Sequence, residues 1–303
     1  MNNPKKILII GGDSFIARYF IKNNASIYQI RAISRIATGF ENELVLQDFF
    51  SLKSEEFNNV DVVINFAAIV HNPHNTNEKL YLRINFELPQ FLSEKAKAHK
   101  INYFLQMSTV AVYGRTEIIN QETSEAPVTL YGKSKLMADR SLLLMADKNF
   151  KPAIFRSAMV YGGGNAPGNM MRLIRMVDKG WPLPFNNAHN KRDFIHISTL
   201  TMLIDHAIKN EITGVCLLCD GIPVSIRELI KVIEKCLKKK IRLFSLPKIF
   251  ISIIKAAKPG LFEKLFGSLQ VSDTDIRNKF NIVPKDMLEQ GITEMVASYK
   301  NQK

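Results

Sequence analysis

The run Lys5-Lys6-Ile7-Leu8-Ile9-Ile10 passes without a break into Gly11-Gly12-Asp13-Ser14-Phe15-Ile16-Ala17, and no other stretch constrains the fold as tightly. A short continuous apolar run is the pattern of a strand buried on both faces of a parallel sheet. A glycine-rich turn from such a strand into a helix offers backbone N–H groups and a helix N-terminus to a pyrophosphate. A helix to about residue 23 should follow, with Gly11, Ser14, Phe15 and Ile16 as candidate phosphate-binding residues. In a Gly-x-x-Gly-x-x-Gly loop glycine would also stand at 14 and 17, where this chain has Ser14 and Ala17. Alanine is small enough where helix meets strand. Ser14 adds a Cβ and a hydroxyl, which either contacts phosphate or loosens the bound cofactor.

Further apolar runs predict strands over residues 27–33, 43–48, 60–68 and 103–109, with a long helix over 81–99 crossing back before the last of these. Strand and helix alternating at this spacing predict an α/β fold, a doubly wound parallel sheet whose ligands sit at the carboxyl ends of the strands. The second strand ends in Ser34-Arg35, where an acid would grip the ribose 2′-hydroxyl of NAD. Serine and arginine could instead hold a 2′-phosphate, which makes NADP the expected cofactor and NAD the alternative, with a merely solvated arginine as the bland reading. Asp48 could accept from the adenine amino group. Phe66, Ala67 and Ala68 end the fourth strand, where a cofactor needs close backbone approach, and Ser108-Thr109 end the fifth with two hydroxyls.

Tyr131 and Lys135, in Leu130-Tyr131-Gly132-Lys133-Ser134-Lys135, stand four apart and share a helix face. A free phenol titrates near ~10, so a neutral-pH base needs a shift of roughly three pKa units, about 4 kcal/mol. An ammonium at ~4 Å and an effective dielectric of ~20 supplies about that much. The pair alone is common in helices and fits a core tyrosine beside a surface lysine equally well. The glycine turn and the Ser108-Thr109 strand end favour the catalytic reading.

The chain has 303 residues, 46% of them hydrophobic and 23% charged, as in an ordinary globular protein. No basic leader with an apolar run and no stretch near 18 apolar residues is present, so a cytoplasmic location is expected. Cys216 and Cys219 read as strand filler rather than a redox pair or zinc site. His71 and His74 lack a third ligand at metal-site spacing, so no metal is expected. The net charge of +13 fits an anionic small-molecule substrate, an acidic membrane surface or solubility alone. No nucleic-acid recognition motif is present. Residues 248–266 mix apolar residues with lysines, a composition compatible with peripheral membrane contact, which is the minority reading because Pro259-Gly260 interrupts the segment.

Six segments in order resemble the extended short-chain dehydrogenase/reductases of the nucleotide-sugar epimerase/dehydratase/reductase kind. They are residues 11–17, Asn65-Phe66-Ala67-Ala68, residues 108–114, residues 131–135, Arg156-Ser157-Ala158-Met159-Val160-Tyr161-Gly162 and Arg192-Asp193-Phe194-Ile195-His196-Ile197. The resemblance implies a Rossmann domain over residues 1–160, with 191–210 returning to it, and a smaller α/β substrate-binding lobe over 161–303. It implies Tyr131 as catalytic acid/base, Lys135 binding the nicotinamide ribose, Thr109 bonding the reacting sugar oxygen and Ser108 beside it. Asn169, Phe185 and Arg192 are implied to contact the nucleotide sugar, Arg192 through its diphosphate. Met159 departs from an asparagine frequent in relatives. A homodimer is the expected assembly.

The same resemblance bears on the reaction. The 4,6-dehydratases carry an Asp-Glu pair after the catalytic threonine, and here Val110-Ala111 follow Thr109, against dehydration. The expected activity is NADPH-dependent reduction of the C4 keto group of a UDP-linked 6-deoxy N-acetylhexosamine. Alternatives are a 4-epimerase with retained NAD and, in another class, a non-catalytic NADP sensor.

Overall fold

In a computed structural model, the structure describes residues 3–70, 77–164 and 166–302. His71 and His74 lie outside the described residues. The chain divides into two compact units, Met1–Gly114, Thr123–Ser157 and Thr201–Leu217 in the first and Arg115–Glu122, Ala158–Leu200 and Leu218–Lys303 in the second. The expected boundaries differ: the returning segment is 201–217 rather than 191–210, and 115–122 leaves the first unit for the second.

Unit 1 is built on the strands β1 (Lys6–Ile10), β2 (Gln29–Ser34), β3 (Glu43–Val45), β4 (Val62–Asn65) and β5 (Tyr103–Thr109). After β6 (Ile118–Ile119) of unit 2 comes β7 (Lys151–Ser157), and after β8 (Met159–Tyr161) and β9 (Phe194–His196) comes β10 (Gly214–Leu218). The seven-stranded sheet runs β10-β7-β5-β4-β1-β2-β3, a Rossmann-like doubly wound α/β arrangement. β1 pairs in parallel with β2 on one side and β4 on the other, so the strand order reverses at its carboxyl end. That reversal opens a crevice at the ends of β1 and β4, the usual ligand position in such sheets.

The helices of this unit are α1 (Phe15–Asn24), α2 (Glu78–Leu82), α3 (Leu88–Ala98), α4 (Leu130–Leu144) and most of α6 (Ile197–Asn210), α5 (Asn169–Asp178) belonging to unit 2. The helix expected over 81–99 is interrupted by a π turn at Arg83–Glu87. The turn directs Asn85 inward, where it accepts from Ile69 N–H (2.8 Å) and donates to the Ile69 carbonyl and to Ser134 Oγ. Leu8, Val63, Phe104 and Ile154 form one face of the sheet core with Leu92 of α3 and Leu142 of α4. β2 starts two residues later than expected, and β3 stops at Val45, with Asp48 capping a 3₁₀ turn at Phe49–Ser51 instead of extending the strand.

Unit 2 holds two short parallel pairs, β8 with β9 and β6 with β11 (Gln270–Val271). Its remaining helices are α7 (Ile226–Leu237), α8 (Lys248–Ala257), α9 (Pro259–Phe266), α10 (Thr274–Lys279) and α11 (Leu288–Lys300). α7 starts at a capping box in which Ser225 and Glu228 satisfy each other's backbone N–H, and stops at Lys238 in the left-handed region (φ 55°). Among the described residues no helix is long and apolar enough to cross a membrane.

Phe104 is completely buried. Phe104→Ala should cost about 3–5 kcal/mol of unfolding free energy, read as a lower urea midpoint with the slope unchanged.

Candidate functional site

The turn after β1 is held by one carbonyl, since Gly11 and Gly12 N–H both donate to Ile33 O (2.9 and 3.0 Å). Gly11 has φ 80°, and a Cβ there would lie 2.7 Å from Ala67 N, so the β1 turn and the end of β4 approach as only glycine allows. Ser14 is the N-cap of α1: its hydroxyl accepts the Ala17 N–H (3.3 Å) and its φ of −70° needs no glycine. The departure from the glycine pattern is therefore a helix cap. The N–H groups of Phe15 and Ile16, in the first turn, have no intrahelical acceptor and remain for an anion. A cavity of ≈ 220 Å³ opens here, walled by Gly11, Asp13, Ser14, Arg35, Phe66 and Ala67, with Ala68 beside them. The glycine cradle and free helix start fit a dinucleotide.

Two expected contacts are placed differently. Ser34 is fully buried, its hydroxyl beneath Gly12 where a Cβ would come within 2.7 Å, so it is not presented to a 2′-phosphate. Asp48 accepts from Phe50 N–H and pairs with Arg83 at 2.7 Å, which occupies the carboxylate expected to meet adenine. Asp13 was not singled out from the sequence. Its carboxylate accepts the Arg35 N–H (3.4 Å) and lies 4.0 Å from the Arg35 guanidinium, at the carboxyl end of β2. The signal was an acid inside the glycine turn, at a position the glycine pattern leaves open.

Tyr131, Lys135 and Asp139 rise along one face of α4, four residues apart. Thr129 caps this helix by accepting from Gly132 N–H. Thr109 Oγ1 accepts from Ala111 N–H (3.1 Å), and its hydroxyl bonds the Tyr131 oxygen, lowering the phenol's pKa. Burial outweighs this and pushes Tyr131 up to about 12. Lys135 is itself driven down to about 8 by burial, held from falling further by the Asp139 charge, and it donates to the Met107 carbonyl. The groups that act on the Tyr131 phenol beside burial are Thr109, which lowers it, and Asp139 and Tyr81, which raise it.

Behind the row lies a charge network that sequence reasoning missed. Asp139 is fully buried and accepts from Arg156 Nε (2.9 Å) and from Ser108 Oγ (2.8 Å). Arg156, also buried, donates to Tyr113 Oη and to Glu125 (both 2.7 Å). Burial raises the Asp139 pKa while Arg156 and Lys135 oppose it. Ser108 thus faces Asp139. An Asp four residues after the lysine and an Arg directly after the apolar run at residues 152–155 were the available signals.

In unit 2, a largely apolar cavity of ≈ 300 Å³ is lined by Asn169, Phe185, Arg192, Met159, Ser225 and Leu229, among others. Phe185 is buried and packs on Phe266 (centroids 5.7 Å apart). Asn169 opens α5 and is exposed. Arg192 donates to the carbonyls of Gly267 (2.8 Å) and Glu263 at the end of α9, so the guanidinium expected to meet a diphosphate is occupied by backbone.

Two outcomes follow from the α4 row. Tyr131→Phe should lower turnover at least ~10²-fold, the low end of what a lost general acid/base removes, with dinucleotide affinity within about twofold by fluorescence titration. Asp139→Asn leaves Arg156 short of a buried partner and should cost about 3–5 kcal/mol in urea unfolding. Losing the Asp139 charge also lowers the Lys135 pKa below about 8, so the alkaline limb of the pH–rate profile should move to lower pH.

The NAD dependent epimerase/dehydratase family model matches residues 7–215. The UDP-glucose 4-epimerase of Vibrio cholerae is 27% identical, over 98% of this chain and 96% of its own. Two solved structures share the fold. The UDP-glucuronic acid 4-epimerase of Bacillus cereus in complex with NAD has a TM-score of 0.81 at 21% identity, covering 98% of this chain and 99% of its own. The UDP-N-acetylglucosamine 4-epimerase of Methanobrevibacter ruminantium M1 in complex with UDP-N-acetylmuramic acid has 0.82 at 20%, covering 99% of each. With the glycine cradle and the Thr109–Tyr131–Lys135 row in place, the chain is an enzyme that belongs to the NAD dependent epimerase/dehydratase family.

Proposed function

We propose that the chain is a nucleotide-sugar 4-epimerase, acting on a UDP-linked hexose or N-acetylhexosamine with a retained NAD. The observation that carries this reading is the Asp13 carboxylate at the end of β2. A carboxylate there accepts from a ribose 2′-hydroxyl and repels a 2′-phosphate. NAD is the cofactor an epimerase keeps, whereas a reductase draws on NADPH as the usual reducing currency. Similarity along nearly the whole chain to a UDP-glucose 4-epimerase supports the same reading. Val110-Ala111 after Thr109 supply no acid–base pair for dehydration.

In this reading Gly11, Ser14, Phe15 and Ile16 hold the pyrophosphate, Phe66, Ala67 and Ala68 allow close backbone approach, and Lys135 binds the nicotinamide ribose. Bound NAD supplies the hydride acceptor, and then the donor, at C4. Tyr131 takes the C4 hydroxyl proton and later returns it to the same oxygen, while Thr109 orients that oxygen. A phenol near 12 is a poor base at neutral pH, so the bound state must lower it. Lys135, protonated below about 8 with Asp139 behind it, is the chain's own cation for that task. Asn169, Phe185 and Arg192 serve the nucleotide, with Arg192 exchanging the α9 carbonyls for the diphosphate.

A specific observation favours the second reading, NADPH-dependent reduction of a UDP-4-keto-6-deoxy N-acetylhexosamine. Arg35 is half-exposed and, at 4.0 Å, only loosely tied to Asp13, so it remains available to a 2′-phosphate.

Purified protein given UDP-glucose or UDP-N-acetylglucosamine should produce the C4 epimer with no net change in nicotinamide absorbance. Stoichiometric NADPH loss with the 4-keto sugar, and no epimer, would establish the reductase instead. NADH should bind at least tenfold tighter than NADPH, about 1.4 kcal/mol, and Asp13→Asn should narrow that gap. Equal affinities in the parent protein would return the choice to Arg35.

A further inference from the structure

Residues 238–264 contain eight lysines and arginines and a single acid, Glu263, so fewer than a tenth of the residues carry a net +7 of the chain's +13. Within this segment lies α8, Lys-Ile-Phe-Ile-Ser-Ile-Ile-Lys-Ala-Ala. One side of α8 rests on α9, with the Lys255 ammonium 5.4 Å from the centre of the Phe262 ring. The other side is uncovered: Ile249 is 67% exposed and Phe250 and Ile253 are each 54% exposed. At about 100° per residue these three fall with Ala256 and Ala257, also exposed, in an arc of about 120°. Phe244, a few residues before the helix, is 40% exposed as well. Large side chains gathered in this way mark a surface that something covers.

The charge selects the occupant. A second copy docking through the same face would bring two segments of +7 together, which like-charge repulsion opposes. An anionic bilayer answers both features at once, taking the apolar arc at the acyl boundary and the cations over its headgroups. A ten-residue helix is about 15 Å long, half a hydrocarbon core, so it lies in the surface and does not cross. We propose that α8 docks the protein on an anionic membrane surface, with Ile249, Phe250 and Ile253 entering the interface and the net positive charge of segment 238–264 attracting it to the headgroups.

This inference stands whichever nucleotide-sugar reaction the protein runs. The full chain would be sedimented with vesicles of phosphatidylcholine alone or mixed with phosphatidylglycerol. It should pellet with the mixed vesicles only and be released in part by high salt. The double substitution Phe250→Asp, Ile253→Asp should lower the pelleted fraction at least tenfold with the thermal unfolding midpoint unchanged. Because that variant also alters charge, a second probe is Phe250→Trp in a Trp181→Phe background, whose emission should shift to the blue with mixed vesicles. Absence of pelleting, pelleting indifferent to the double substitution, or no spectral shift overturns the proposal. So does a dimer in solution that the double substitution splits, which would make the covering surface a second copy.

Discussion

Asp139 and Arg156 form an ion pair with almost no access to water, and much of unit 1 is arranged to make that tolerable. An isolated charge in such a place costs several kcal/mol, and a pair persists only when its remaining donors and acceptors are used. Ser108 on Asp139 Oδ2 and Tyr113 and Glu125 on Arg156 take up most of these valences, Asp139 Oδ1 staying buried without a hydrogen-bond partner among the described residues, and they tie the end of β5, the turn that follows it and the segment before α4 to the middle of α4 and to β7. The same carboxylate raises the Lys135 pKa against the larger, opposing effect of burial. Structural electrostatics and the reacting row are thus one network: Thr109 meets Tyr131, and its neighbour Ser108 bonds Asp139 about two turns further along α4.

The two units differ in how their polar groups are spent. In unit 1 the dinucleotide cavity keeps backbone donors open, through a glycine that no side chain can replace and a helix start whose cap uses only one N–H. In unit 2 the polar groups near the cavity are already engaged: Arg192 with the end of α9, Asn190 with Gly267 O and Ile226 N–H, and Ser225 with its capping box. A ligand of unit 1 can add hydrogen bonds. A charged ligand that used Arg192, Asn190 or Ser225 would have to exchange these bonds.

The strand runs around residues 5–10 and 103–109 and the glycine turn were legible because a parallel sheet needs continuous apolar segments and a tight turn leaves only small residues open. The Tyr131 and Lys135 pair was legible from helical spacing, since it depends on residues four apart. Asp13, Asp139 and the inward-turned Ser34 were not, because each depends on a partner distant in the chain or on which way a side chain turns at a strand end. Arg156 stood in a segment quoted for its resemblance, yet nothing local tells a buried guanidinium from an exposed one. Arg192 was assigned to a phosphate on resemblance alone, and its neighbours at 263 and 267 could not be inferred from seventy residues away.

The π turn at Arg83–Glu87 carries a consequence for how this chain tolerates change in length. A π turn is an α-helix holding one residue more than its ladder requires. Removing one residue between 83 and 87 would let the ladder close as ordinary helix, with α2 and α3 keeping nearly their present facing, because the wider turn is what absorbs the surplus residue. Asn85 would then leave Ile69 and Ser134, and the backbone after β4 would lose its clamp to α4. The surplus residue serves the Asn85 contacts rather than the facing of the helices, so a deletion within these five positions is felt first at that clamp.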